Sequence, residues 1–172
     1  MTSPSEQLRP TVPRQDEPVE RTMGFTEIQQ WVRHRYPMNY LDRVTDYTPG
    51  EHLTALVSIS GSMPVFQGHF PERAIFPSSS AMLAIAEAGV ILYQVSTKPL
   101  RDDEITLMGT MEIRSKRIVV PGDQLVLTVT CESLRDNFLR FTGVGRVDGK
   151  VVTQARTSLI RKNIADLGRQ LW

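Results

Sequence analysis

The sequence predicts an α+β fold in which one long, apolar helix is wrapped by a curved antiparallel sheet. Residues 78–93 hold no proline, a single glycine and apolar residues on nearly every face, which is the pattern of a buried helix. The chain that follows alternates apolar and polar residues in long runs, as strands do. Asp148-Gly149 divides two of those runs, and Asp-Gly between alternating segments is a strong hairpin signal. A sheet that covers a single apolar helix buries both apolar surfaces at once.

Taken in chain order, residues 1–22 are polar, carry Pro4, Pro10, Pro13 and Pro18, and read as a disordered leader. The folded domain is expected over 23–161, with 162–172 as a C-terminal tail. A short helix is expected from Thr26, with Thr26 as cap, Gln29 in the capping-box position, and Ile28, Trp31 and Val32 on one face. Arg35-Tyr36-Pro37 ends it, because the residue before proline disfavours helix. Leu53, Ala55, Val57 and Ile59 form the inward row of a strand. A loop with Pro64, Gly68, Pro71 and Pro77 leads into the long helix. Leu107, Gly109, Met111 and Ile113 form a second row, and Leu125, Leu127, Val129 and Cys131 a third. Residues 141–147 and 150–159 form the hairpin around Asp148-Gly149.

Composition narrows the function. The 172 residues, 40% of them hydrophobic, suit one domain with a sizeable core. Twenty basic against 19 acidic residues give no electrostatic reason to expect nucleic acid or an anionic membrane as partner. Cys131 is the only cysteine, so neither an internal disulfide nor a cysteine metal cluster can form, and a reducing cytoplasm fits. The N-terminus lacks the apolar core of a signal peptide. The longest apolar run, 81–93, is interrupted by Glu87 and is too short to span a bilayer.

Four motifs then occur in order. Arg35-Tyr36-Pro37 leads to Leu41-Asp42-Arg43-Val44, and Gly68-His69-Phe70-Pro71 to Ile75-Phe76-Pro77. Val120-Pro121-Gly122-Asp123-Gln124-Leu125 and Asp148-Gly149-Lys150-Val151 follow. In this order and spacing, residues 25–161 resemble the 3-hydroxyacyl-acyl carrier protein dehydratases of the FabZ/FabA type. The resemblance implies a hot-dog fold and a dimer joined edge to edge, with two active-site tunnels each built from both subunits. It implies no metal and no resident cofactor, the substrate arriving on the phosphopantetheine arm of an acyl carrier protein. The partner subunit is a second copy or another hot-dog chain.

Dehydrating a 3-hydroxyacyl thioester needs a base for the C2 proton and an acid for the departing hydroxyl. Histidine titrates in the right range for such work, and His69 matches the family's catalytic histidine. Gly68, Phe70 and Ile75 flank it as substrate-contacting positions. The resemblance places a Glu or Asp on the buried helix of the partner subunit as the second group, but that position is Leu83, which can neither give nor take a proton. Ser78 stands where the family has a glycine whose amide polarises the thioester carbonyl, and a serine amide at a helix N-terminus keeps that capacity. Glu87 is the candidate replacement acid. It lies one turn beyond Leu83, about 6 Å further along the helix, where the family usually has glutamine. The blander reading has Glu87 paired with a basic or polar group. Ser79 and Ser80 lie near the same face and could hold a water, though serines at a helix start more often cap it.

Three functions fit a histidine without its carboxylate. One is a dehydratase using His69 with water, Glu87 or a serine. Another is an enoyl-thioester isomerase, in which a single histidine moves the proton. The last is a non-catalytic subunit of a heterodimer whose partner supplies the carboxylate. The first fits the otherwise intact motif set best. Small and apolar Ala81, Ala84, Ile85 and Ala88 are expected to leave room for a linear acyl chain in fatty acid or polyketide biosynthesis.

Overall fold

The computed structural model describes residues 21–168. The leader expected over 1–22 therefore lies almost wholly outside the described residues, as does the end of the expected tail. The elements run α1 (Phe25–Trp31), β1 (Arg43–Thr48), β2 (His52–Ser58), a 3-10 turn (Pro64–Gln67), α2 (Ser78–Ser96), β3 (Glu104–Ser115), β4 (Gln124–Arg135), β5 (Phe138–Val147), β6 (Lys150–Asn163) and a final 3-10 turn (Ile164–Leu167). The strands form one six-stranded sheet in the order β1-β2-β4-β5-β6-β3, with every neighbouring pair antiparallel. The sheet curls around α2, whose residues from Ser80 to Val95 are buried apart from Leu83. This is the hot-dog arrangement that the motifs imply. By length and composition α2 could also cross a membrane, but 83% of its apolar window is covered by the protein's own sheet and loops.

Close contact between helix and sheet rests on a reciprocal exchange of glycines. A Cβ on Gly89 of α2 would stand 2.1 Å from Cζ of Phe141 on β5. A Cβ on Gly143 of β5 would stand 2.4 Å from Cγ2 of Ile85 on α2. Ile85 and Gly89 are four apart on one helix face, and Phe141 and Gly143 two apart on one strand face, so each glycine receives the other element's large side chain. At the far end of α2 the Tyr93 hydroxyl donates to the Asp136 carbonyl in the β4–β5 turn. Burial pushes the Tyr93 phenol upward, partly offset by the Arg161 guanidinium, which lies 5.1 Å from its ring centroid.

Most expected elements are present with shifted ends. Leu53, Ala55, Val57 and Ile59 point inward, as do Leu125, Leu127 and Val129. Asp148 and Gly149 both take positive φ, at 49° and 72°, as a two-residue turn of this hand requires. The first helix starts at Phe25 with Gly24 as its N-cap and no side-chain cap, so Thr26 lies inside the helix and caps nothing. The serines do not cap α2 either, since its N-cap is Pro77 without a side-chain bond. Strand β1 was not expected from the sequence. A bulge between Val44 and Asp46 puts its buried residues, Val44 and Tyr47, three apart and erases the two-residue period. A bulge between Met108 and Met111 likewise breaks the row of Leu107, Gly109, Met111 and Ile113. Ile113 packs on the core while Leu107 and Met111 are exposed along the sheet edge. The reciprocal packing predicts that Gly89→Ala forces Phe141 from its site and costs about 1–3 kcal/mol, read as a lowered midpoint in thermal or urea unfolding.

Candidate active site

His69 sits in a tight loop between the 3-10 turn and α2. Its N–H donates to the Val65 carbonyl, the Ile75 N–H donates to its carbonyl, and Phe70 and Arg73 exchange two backbone bonds beyond it. The His69–Phe70 peptide is cis, and the two rings stack at 4.1 Å between centroids. His69 Nδ1 lies 2.8 Å from the Ile75 carbonyl oxygen. A carbonyl only accepts, so Nδ1 carries the proton and the lone pair falls on Nε2. The loop thus fixes both the ring and the tautomer of a general base. Gly68 is exposed, and a Cβ there would meet nothing within 4 Å. Phe70 is half exposed beside it.

Helix α2 begins directly after this loop. Ala81 makes the first intrahelical bond, to the Pro77 carbonyl, which leaves the amides of Ser78, Ser79 and Ser80 as the open N-terminal donors of the helix. Ser78 and Ser79 are exposed, and the Ser78 hydroxyl pairs with Ser115 at the end of β3. Leu83, one turn further on, is partly exposed.

Glu87 is fully buried and both carboxylate oxygens are engaged. Oε1 lies 3.0 Å from His34 Nδ1, and Oε2 accepts the Tyr40 backbone N–H at 3.0 Å. The partner of Glu87 is thus an arm of its own chain, the loop after α1, and His34 is part of that contact. Seven residues earlier, Ser80 Oγ bonds the Tyr40 hydroxyl at 3.0 Å. Seven residues later, Gln94 donates to the Trp31 carbonyl and accepts from the Leu100 N–H. Ser80, Glu87 and Gln94 therefore form a polar column on one face of an otherwise apolar helix. From sequence, Glu87 and Ser80 were singled out but not Gln94. The seven-residue spacing was the available signal for the rest.

That column holds one wall of a cleft of about 440 Å³, mostly apolar, between residues 36–40 and 62–65. Tyr36 and Met38 are exposed on one wall, and Met63 and Val65 line the other, next to the His69 loop. The open space does not lie beside Ile85 and Ala88, because Ile85 fills the notch at Gly143 and both are fully buried. Tyr40 lines the cleft and packs edge-on against Phe76 at 5.6 Å.

The FabA-like domain family matches residues 32–156. The chain belongs to the FabA-like family. Within it, the chain is 50% identical over 153 residues to coronafacic acid dehydratase of Pseudomonas savastanoi pv. glycinea, covering 89% of this chain and 93% of that one. It is 43% identical over 145 residues to 3-hydroxyacyl-acyl-carrier-protein dehydratase FabZ of Cronobacter sakazakii, covering 84% and 96%. The FabA-like fold is seen again in the dehydratase heterocomplex ApeI:P from Xenorhabdus doucetiae, at a TM-score of 0.68 and 17% identity, over 81% of this chain and 93% of that one. A hypothetical thioesterase from Streptococcus pneumoniae, solved with coenzyme A, shares the fold at a TM-score of 0.55 and 9% identity over 73% and 87%.

The buried contacts of this FabA-like chain set a stability test. Glu87→Leu strands the Tyr40 amide and removes the partner of His34, which is expected to cost at least about 1–3 kcal/mol. Glu87→Gln keeps an acceptor for the amide and should lower the melting temperature less. Equal melting temperatures for the two variants would show that the buried bonds contribute nothing.

Proposed function

We propose that this FabA-like protein removes water from 3-hydroxyacyl thioesters carried on an acyl carrier protein, in fatty acid or polyketide biosynthesis. The observation that carries the reading is His69, whose Nδ1–H is committed to the Ile75 carbonyl so that Nε2 serves as base. The dehydratase relatives, matched over nearly their whole length, support the same reaction. Nε2 takes the C2 proton. The open amides at the start of α2 polarise the thioester carbonyl and stabilise the enolate that forms. The substrate brings its own pantetheine arm, and the chemistry asks for no resident cofactor or metal. Glu87 acts as an anchor for residues 34–40 and not as the acid, because its oxygens already serve His34 and Tyr40.

Carrier docking is supported by an exposed strip after β3. Lys116 and Arg117 are exposed there, and Val119 just beyond accepts the Phe76 N–H, which ties the strip to the His69 loop. An acidic carrier would meet this strip beside the cleft. Assembly into hot-dog dimers is supported by the exposed Leu107 and Met111 on edge strand β3, where an unpaired apolar edge would otherwise face water. Light scattering should give at least twice the 19.4 kDa chain mass at micromolar concentration. A monomer alone would refute the dimer.

Leu83 favours a second reading, in which the chain is an enoyl isomerase or the partner of a carboxylate-bearing subunit. Two variants separate the readings. His69→Ala should lower dehydration by about 10²–10⁴-fold. Leu83→Glu places a carboxylate at the family's position. A dehydratase gains little from it, whereas an isomerase or inactive subunit should gain dehydration activity that the wild type lacks. Wild-type protein that leaves every 3-hydroxyacyl-carrier substrate unchanged, beside a folded Leu83→Glu variant that converts them, would overturn the dehydratase reading.

A further inference from the structure

Position 83 cannot donate a proton, and Glu87 one turn on has both oxygens occupied. Beside the same stretch of α2 a different proton donor is present. Tyr40 bonds Glu87 through its backbone N–H and Ser80 through its hydroxyl, so its side chain lies along the helix face between residues 87 and 80 and passes the level of Leu83. The phenol is half-buried and lines the apolar cleft. Its ring is held edge-on by Phe76. Phe76 follows Ile75, the residue whose carbonyl orients His69. The same short segment therefore fixes both the base and the phenol.

Resting on the dehydratase reading, we propose that Tyr40 is the acid of this enzyme, supplying the proton that a carboxylate at position 83 supplies in its relatives, with Ser80 as its positioning partner. In a tunnel built from two subunits, His69 Nε2 of one takes the C2 proton, and the electron pair moves to form the C2–C3 double bond. The C3–O bond breaks as the Tyr40 O–H proton of the other passes to the leaving oxygen, which departs as water. Ser80 turns its hydroxyl to donate to the phenolate oxygen. The proton on His69 returns to Tyr40 through solvent, so the cycle closes with no net proton and no co-reactant. Phenols are among the side chains that act as general acids when held in hydrogen-bond reach. The cleft wall that carries Tyr40 is pinned by the Glu87–His34 contact, which accounts for a buried carboxylate that does no chemistry itself.

The test uses the full-length assembled protein and separates the two half-reactions. Tyr40→Phe keeps the ring on Phe76 and removes only the hydroxyl. It should lower dehydration of a 3-hydroxyacyl-carrier substrate by about 10²–10⁴-fold. Exchange of the C2 protons of a saturated acyl-pantetheine with deuterated water, which needs His69 alone, should persist in this variant. Ser80→Ala should lower dehydration less and shift its pH profile. Folded Tyr40→Phe protein that dehydrates at the wild-type rate would overturn the assignment. So would a variant that loses C2 exchange in step with dehydration, since that marks a purely structural role. Wild-type protein inactive on every such substrate would defeat the dehydratase reading itself and this assignment with it.

Discussion

A buried carboxylate governs how the site of this protein is built. Glu87 has no exposed surface and lies on a helix whose buried residues are mostly apolar. An unpaired charge in such a place costs several kcal/mol, so the fold must bring it donors. The donors come from the loop after α1, as His34 and the Tyr40 amide. Ser80 and Gln94, a heptad away on either side, catch the same arm at the Tyr40 hydroxyl and the Trp31 carbonyl. The arm is thereby registered on the helix at three levels, in addition to the burial of Trp31, Val32 and Leu41 at its two ends.

The second wall of the cleft is built independently. Residues 65–75 fold into a small loop closed by backbone bonds, and the Ile75 carbonyl fixes His69. Phe76 joins the two walls, since it follows that loop and supports the Tyr40 ring. The sheet contributes by bringing α2 close, through the Gly89–Phe141 and Gly143–Ile85 contacts. Small residues on α2 thus serve packing against the sheet, and an apolar cleft opens between residues 36–40 and 62–65. Tyr40 lies over the face of α2 that carries Ser80 and Glu87, beside the leucine at position 83.

The helix and the sheet were legible from residues alone, because apolar periodicity and turn residues report burial directly, whereas His69 was singled out through the resemblance carried by Gly68-His69-Phe70-Pro71. Rows such as Leu53, Ala55 and Val57 carry that signal without interruption. Strand β1 was not legible, since the bulge at Val44 and Asp46 moves its buried positions three apart. The row through Leu107 and Ile113 failed for the same reason at a different bulge. Helix caps at Thr26 and the serines were expected from residue type, yet Gly24 and Pro77 hold those positions, and the Ser78 and Ser80 hydroxyls have tertiary partners instead. Tyr40 escaped notice because its partners are 40 and 47 residues away, beyond any local pattern.

The bond between the Tyr40 amide and Glu87 can be observed one residue at a time. Amide hydrogen exchange followed by NMR reports the free energy needed to open that N–H. The account predicts that Tyr40 exchanges as slowly as the core strands, such as the Leu127 amide, although it lies in a loop beside a cleft. Exchange of Tyr40 as fast as that of an exposed loop amide would contradict it, because the arm would then not be held on α2 at all.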